Sequence, residues 1–447
     1  MSAATDLGTR LAELGIRTLR AGGVDLDGLW RCKQLTAAKA GGDTLSQCNY
    51  VFGIDLQDQV YDPVSSYTGW ETGWPDIRMR VDPDTVRALP WEAGVATAIC
   101  DYVDWDGAPV HLCPRGMLRR ITEETTAAGF TPDVAMELEF FVFEGRPEPR
   151  NSPMAVAASP MFAGNHGYHP HRGMDLMERW SRQLQEYGIP VEGALTEWGA
   201  SQFEINIDHG DPLRVADDIV MTKHALKALA ARDGLTVSFM ARPCATGPGS
   251  SGHVHVSLWG KDDERNTFFD ADRPDNASDD LLRFAAGLVR DLPETALVAL
   301  PFVNSYRRVG DYLSSPTRIN VGVENRTTGL RLITHDDRSA RLELRVPGAD
   351  VNPYLILAST LASGLAGIRD GLDPAPVLRG DGYADTAAPP LPRSLEQAIV
   401  AFDASKRARL VLGDEFVAHY LHTRRWELAK WQEAVTDWEI DRYLEMT

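Results

Sequence analysis

The chain reads as an α+β protein of at least two domains, and three observations predict it. Four short segments alternate polar and apolar residues with the period of a strand: Met136-Glu137-Leu138-Glu139-Phe140, Gln202-Phe203-Glu204-Ile205-Asn206-Ile207, His253-Val254-His255-Val256-Ser257 and Arg341-Leu342-Glu343-Leu344-Arg345. Other stretches carry apolar residues at helical spacing. At 447 residues, the chain is long enough for two or three domains and a large core.

In chain order, residues 7–21 have helical spacing and end at Gly22-Gly23. Strand-like pieces follow around Val24-Asp25-Leu26 and Tyr50-Val51-Phe52-Gly53-Ile54. Tyr61 to Pro75 is rich in Gly, Ser, Pro and aromatics and reads as a long loop. Its aromatics, Tyr61, Tyr67, Trp70 and Trp74, favour an ordered, functional loop. Near Asp106-Gly107-Ala108-Pro109 the character changes, which sets domains of 1–108 and 109–447. Helices are expected over 116–129, 174–187 and 214–233, with a Pro-rich loop region at 145–175. Residues 246–252 form a Gly-rich turn into the histidine strand, and 374–393 read as a surface loop. From Ser394 to Met446 the pattern is helical, with Trp426, Trp431 and Trp438 as packing residues.

The polar residues of the four strands are unusual for a solvated sheet face. Such a face favours Lys, Thr and Ser, yet Lys is absent from all four segments. Residues at i and i+2 share a face, so carboxylates, imidazoles and guanidinium groups gather on one side. With Glu197 just upstream of the second segment, the set holds five glutamates and a histidine. That is enough for two three-ligand divalent metal sites flanked by arginines. Carboxylate oxygens suit Mg²⁺ or Mn²⁺, and an imidazole is tolerated best by Mn²⁺. Two adjacent ions can clamp phosphate oxygens during phosphoryl transfer. No Walker A sequence is present, so a nucleotide needs another kind of site.

Composition excludes other classes. A net charge of −19 argues against nucleic acid, whose phosphates need a basic surface. No apolar run approaches a membrane span, and the first residues lack the features of a signal peptide, so a cytoplasmic protein is expected. The five cysteines are scattered without zinc spacing and read as reduced thiols.

The ordered motifs resemble the glutamine synthetase family over nearly the whole chain. They run Glu-x-Glu (137, 139), Glu-x6-Glu (197, 204), Gly-Ser-Ser-Gly-His-x-His-x-Ser (249–257), Asn-Ser-Tyr-x-Arg (304–308), Glu-Asn-Arg (324–326), Arg-x-Glu-x-Arg (341–345) and Asn-Pro-Tyr (352–354). The resemblance implies an N-terminal β-grasp domain and a C-terminal catalytic domain with a curved antiparallel sheet and surrounding helices. It also implies a homododecamer of two hexameric rings with sites between subunits. The chemistry implied is ATP-dependent amide formation through γ-glutamyl phosphate, with two or more Mg²⁺ or Mn²⁺ ions per site.

Roles carry over by position. Glu139, Glu197 and Glu204 match the ligands of the metal on the glutamate side. Glu137, His253 and Glu343 match those of the metal bridging the nucleotide phosphates. Arg308 and Arg345 match glutamate-binding arginines, and Gly249 matches a backbone contact to glutamate. Arg326 matches the arginine that stabilises the transferring phosphoryl group. His255, Ser257, Arg331 and Arg341 match nucleotide contacts. Asn352-Pro353-Tyr354 reads as structural.

The amine half departs from the family. Where ammonia-using members have a flap glutamate, this chain has Ser314, with Asp311 nearby. The ammonium-loop aspartate matches Asp62, but Asp62-Pro63-Val64-Ser65-Ser66 carries one extra residue before the serines. Pro248 replaces the usual asparagine of the glutamate turn. These changes leave room for an acceptor larger than ammonia, such as a polyamine, alkanolamine, alkylamine or arylamine. Asp55, Asp58, Asp62 and Glu71 would suit a cation, and the loop aromatics an apolar amine. Asp62 is the expected base of the amine step. The alternatives are a true glutamine synthetase, a guanidino-type phosphotransferase and a non-catalytic relative.

Overall fold

A computed structural model describes residues 7–42, 44–62, 67–145, 167–169, 173–244, 247–310 and 315–446. The N-terminal part comprises α1 (Leu7–Glu13), β1 (Thr18–Val24), β2 (Trp30–Thr36), α2 (Ala37–Gly42), β3 (Leu45–Cys48), β4 (Asp76–Val81), β5 (Arg87–Ala88) and β6 (Val95–Val103). Its sheet runs β2-β1-β6-β4-β3, with β5 also on β6 and a parallel β1–β6 pair at the centre. This is the expected N-terminal β domain. The helix expected over 7–21 stops early. Gly15 takes a left-handed φ of 63°, and Ile16 N–H closes back on the Leu11 carbonyl. The apolar residues that follow, Leu19 and Ala21, are buried from β1 instead. Tyr50 to Phe52 lie in a 3₁₀ turn rather than the expected strand.

The catalytic part begins with α3 (Pro114–Ala127), β7 (Phe130–Glu144), α4 (Met174–Glu186), β8 (Val191–Thr196) and β9 (Gln202–Ile207). It continues through α5 (Pro212–Arg232), β10 (Leu235–Ser238), β11 (Val254–Gly260), α6 (Asp279–Ala299) and α7 (Ser305–Arg308). Next come β12 (Val321–Val323), β13 (Leu330–Ile333), β14 (Arg341–Leu344) and α8 (Pro353–Arg369). Its curved sheet runs β12-β13-β14-β11-β7-β9-β8, with β10 pairing β7. This is the expected curved antiparallel sheet, with one parallel pair at its β12–β13 edge.

The C-terminal run is broken into α9 (Leu395–Ala404), α10 (Lys406–Leu412), α11 (Asp414–Glu433) and α12 (Asp437–Tyr443). Ser405 caps α10, and Gly413 at φ 91° separates it from α11. Of the three tryptophans expected to pack there, only Trp426 does so, donating to Asp55. Trp431, in the last turn of α11, is 46% exposed, and Trp438 lies on α12, which buries none of its residues within one chain.

A buried polar joint ties the two sheets together. Arg115 on α3 reaches Asp82 (2.7 Å) and Asp101 (2.6 Å) in the N-terminal part and Asp217 on α5 (2.8 Å). Tyr354 donates to the same Asp217, at 2.6 Å. Asn352 caps α8 with its side-chain oxygen and donates through its amide to the carbonyls of Asp25 and Leu26. The Asn-Pro-Tyr motif is therefore a structural clasp. It holds the β domain against the helix behind the catalytic sheet.

Candidate active site

Strand β7 is the spine of the site. Its period-two pattern puts Glu137 and Glu139 on one face and buries Met136, Leu138 and Phe140 on the other. The register then fixes their neighbours. Glu139 lies opposite Glu204 on β9, and His255 on β11 lies opposite Glu343 on β14. Arg331 on β13 faces Glu343 from the far side. Five strands therefore deliver their charged residues to one surface without help from a loop. Glu197 follows β8 in a tight turn, where its N–H donates to the Gln202 carbonyl at 3.0 Å.

Glu139, Glu197 and Glu204 bring carboxylate oxygens within 4.8 Å of one another. No arginine or lysine salt-bridges any of the three among the described residues, so the charges repel. Burial, followed by the charges of its acidic neighbours, pushes Glu204 up to about 9. Burial and Glu139 push Glu197 up to about 7, and burial raises Glu139 as well. Three oxygen donors that cannot all ionise together fit a hard divalent cation, whose charge would let them. Glu139 is already aimed: its Oε2 accepts from Gln202 Nε2 at 2.9 Å and from the Ser251 N–H at 2.7 Å.

The second cluster is electrostatically different. Ligand atoms of Glu137, His255 and Glu343 again lie within 4.8 Å. His253 Nδ1 sits beside the same two acids, 2.7 Å from Glu137 and 3.4 Å from Glu343. Its buried Nε2 has no partner among the described residues. Here the protein supplies its own cations. Arg331 donates to Glu343 at 2.9 Å, and Arg345 pairs with its other oxygen. Burial opposes ionisation of Glu343, yet His253, Arg345 and His255 hold it down at about 2. Glu137 is likewise held well below the carboxylate range, against burial, by hydrogen bonds from both histidines. This acid–imidazole set also fits a divalent ion, and the imidazoles make contacts that an ion would take over.

Glu137 separates two spaces. On one side, a pocket of about 220 Å³ is lined by the five glutamates and His253 together with Gly249, Arg308, Arg326, Arg331 and Arg345. On the other, a cleft of about 770 Å³ is lined by His255, Ser257, Arg341 and the 336–340 loop. His255 Nε2 lies 3.0 Å from Glu137, and its Nδ1 accepts from Arg341 Nε at 3.2 Å. Arg308 is fully enclosed. It is anchored on the Val346 carbonyl (2.9 Å) and Ser251 Oγ (2.8 Å), and burial lowers it to about 10. Gly249 has no room for a side chain: a Cβ would stand 2.3 Å from the Ala241 carbonyl oxygen and 2.8 Å from Arg308 Cγ. Arg326 is exposed at the rim of the pocket.

Asp62 is exposed on the N-terminal β domain and does not line this pocket. Ser314 and Asp311 lie outside the described residues. Two acids near the loop have structural partners. Asp55 accepts from Trp426, and Asp58 pairs with Arg31. Tyr61 is buried edge-on to Trp426, and Tyr67 packs on His111. The sequence reading overlooked Gln202 and Ser251, which orient Glu139, and the rim aromatics Tyr168 and Trp198. Gln202 was in view, two residues before Glu204 on the same strand face.

Comparison with known proteins agrees with this geometry. Residues 111–443 match the family described as glutamine synthetase, catalytic domain. A glutamate–isopropylamine ligase from Pseudomonas sp is 36% identical over 442 residues, covering 96% of this chain and 95% of that protein. A gamma-glutamylethanolamide synthetase from Streptomyces coelicolor is 36% identical, covering 89% of this chain and 85% of that protein. A solved GmaS–ADP complex superposes with a TM-score of 0.84 at 28% identity, covering 98% of this chain and 99% of that one. The chain belongs to the glutamine synthetase family, and it is an ATP-dependent ligase acting on glutamate.

Proposed function

We propose that this enzyme is a γ-glutamylamide synthetase, joining the γ-carboxylate of glutamate to a primary amine at the expense of ATP. The observation that carries this reading is the shared wall at Glu137. It places a nucleotide-sized cleft directly against an arginine-lined pocket holding two carboxylate clusters. The amine acceptor is favoured over ammonia by the absence of a flap glutamate, with Ser314 in its place, and by relatives named for isopropylamine and ethanolamide.

In this reading, ATP lies in the cleft against His255, Ser257 and Arg341, and Arg331 reaches its phosphates from the pocket side of Glu137. Glutamate lies in the pocket, its α-carboxylate on Arg308 and Arg345, with Gly249 offering backbone contact. Arg345 Nε is buried with no partner among the described residues, so a donor is available for the substrate. Two or more Mg²⁺ or Mn²⁺ ions, held by Glu139–Glu197–Glu204 and Glu137–His253–Glu343, would neutralise charge on the phosphates and the acyl oxygen. A γ-carboxylate oxygen of glutamate attacks the γ-phosphorus of ATP, and the bond to ADP breaks. Arg326 steadies the charge of the transferring group. The neutral amine then attacks the carbonyl carbon of γ-glutamyl phosphate, phosphate leaves, and a base takes the extra proton.

Asp62 is our candidate base. It reaches the pocket only if a neighbouring subunit supplies it, which fits a homododecamer with sites between subunits. We take 1–108 as the β domain and 109–447 as the catalytic domain.

The test is phosphate release from ATP with glutamate, Mg²⁺ and a panel of ammonium, ethanolamine, putrescine, spermine, isopropylamine and aniline. Turnover with one organic amine far above ammonium is expected. Ammonium winning would restore a true glutamine synthetase, and silence across the panel would remove glutamate as the acid.

A further inference from the structure

Two large aromatic side chains stand exposed at the rim of the carboxylate–arginine pocket: Trp198 at 59% and Tyr168 at 73% exposure. Both are held in place. Trp198 directly follows Glu197, and its N–H donates to the Glu197 carboxylate at 3.2 Å. Tyr168 is pinned by backbone bonds, its N–H to the Thr196 carbonyl (3.0 Å) and the next N–H to Thr196 Oγ1 (2.8 Å). The turn costs strain, because Tyr168 sits at φ 58°, a conformation a bulky residue rarely adopts. The strip then packs on the tryptophan: a Cβ on Gly167 would lie 3.0 Å from two indole carbons. The result is a braced aromatic wall next to Glu197, where the acyl group would meet its acceptor.

The rest of the lining sets the chemistry. Among the described residues, every acid lining the pocket is a member of one of the two glutamate clusters. A second ammonium group on the acceptor would find no acid of its own among the described lining. Leu195 and Pro248 add apolar surface beside the wall. Hydrocarbon laid against an indole face gains from burial of apolar surface, and ammonium has none to bury.

We propose that Trp198, braced by the Gly167-Tyr168 strip, is the specificity-determining residue for the acceptor. The acceptor class is then a primary monoamine with an alkyl or aryl body, not ammonium or a polyamine. This inference rests on the γ-glutamylamide synthetase reading.

The test compares kcat/KM for isopropylamine, benzylamine, putrescine, ammonium and hydroxylamine in the wild type, Trp198→Ala and Trp198→Phe. Hydroxylamine is a small nucleophile whose product, γ-glutamyl hydroxamate, reports the acyl phosphate directly. In the wild type, isopropylamine and benzylamine should exceed ammonium and putrescine. In Trp198→Ala the isopropylamine-to-hydroxylamine ratio should fall about tenfold or more, mainly through amine KM. Trp198→Phe, which keeps an aromatic face, should recover most of that ratio. Hydroxamate formation with an unchanged ratio in Trp198→Ala, or a wild type that prefers putrescine, would overturn this inference alone. No hydroxamate from the wild type would overturn the ligase reading and this inference with it.

Discussion

The two carboxylate clusters share a strand, a face and nearly the same inventory, yet they solve opposite electrostatic problems. Glu139, Glu197 and Glu204 are gathered without a salt-bridged cation among the described residues, and burial drives them toward the protonated form. Glu343 is fully buried and Glu137 half-buried, yet both stay ionised, because two histidines and two arginines reach them. Only two strand positions separate Glu137 from Glu139. The difference comes from what lies across the ladder: an acid opposite Glu139, imidazoles around Glu137. One cluster is therefore built to gain charge from outside. The other is already compensated and can exchange its internal partners for an ion and a phosphate.

The largest expected effect is on turnover. Glu137→Ala and Glu343→Ala should each lower ATP turnover by about 10³-fold or more while leaving a folded protein. Retained activity in both would remove the second cluster from the chemistry. Stability should then divide the clusters by sign. Glu343→Gln leaves Arg331 and Arg345 short of a buried countercharge and should cost about 3 kcal/mol in metal-free protein. Glu204, raised to about 9, holds a proton at pH 7 that the unfolded chain releases; Glu204→Gln removes that cost and should raise metal-free stability by about 1–2 kcal/mol. Two losses of similar size in denaturant titrations would erase the contrast.

A smaller effect is expected from the support of Glu139. Gln202→Leu removes a 2.9 Å donor and should weaken divalent-ion affinity by about 10- to 100-fold, read by titration calorimetry. The smallest effect is pH-dependent. Glu197 at about 7 and Glu204 at about 9 exceed the ordinary value of 4.5, so the metal-free fold keeps protons that the unfolded chain releases. Their contribution to stability falls as pH rises from about 4.5 toward 9. An ion must displace those protons, so the gain in Tm from Mg²⁺ should grow between pH 6 and 9. About one proton should be released per ion at pH 8. A gain that stays flat across this range would break the comparison.

Much of the catalytic sheet was legible before any coordinates, because strand periodicity is a local property. Period two alone put Glu137 with Glu139, His253 with His255 and Arg341 with Glu343 on shared faces. Helical spacing over 7–21 overruns α1, since the same apolar spacing serves α1 and then β1 once Gly15 turns the chain. Trp431 and Trp438 were read as core residues because an apolar side chain carries no record of whether its own chain covers it.

The family, the order of its motifs and the residue types of the two acidic clusters are readable from the linear order of residues. These follow from short-range spacing that no packing alters. Folding in three dimensions sets which acids compensate one another. Opposing charges come from strands far apart in sequence, and the register of β7 against β9 and β11 sets each carboxylate's neighbours. It also decided that Tyr168, some 30 residues before Trp198, stands beside it at the rim, because a turn braced on Thr196 joins segments that the linear order keeps apart.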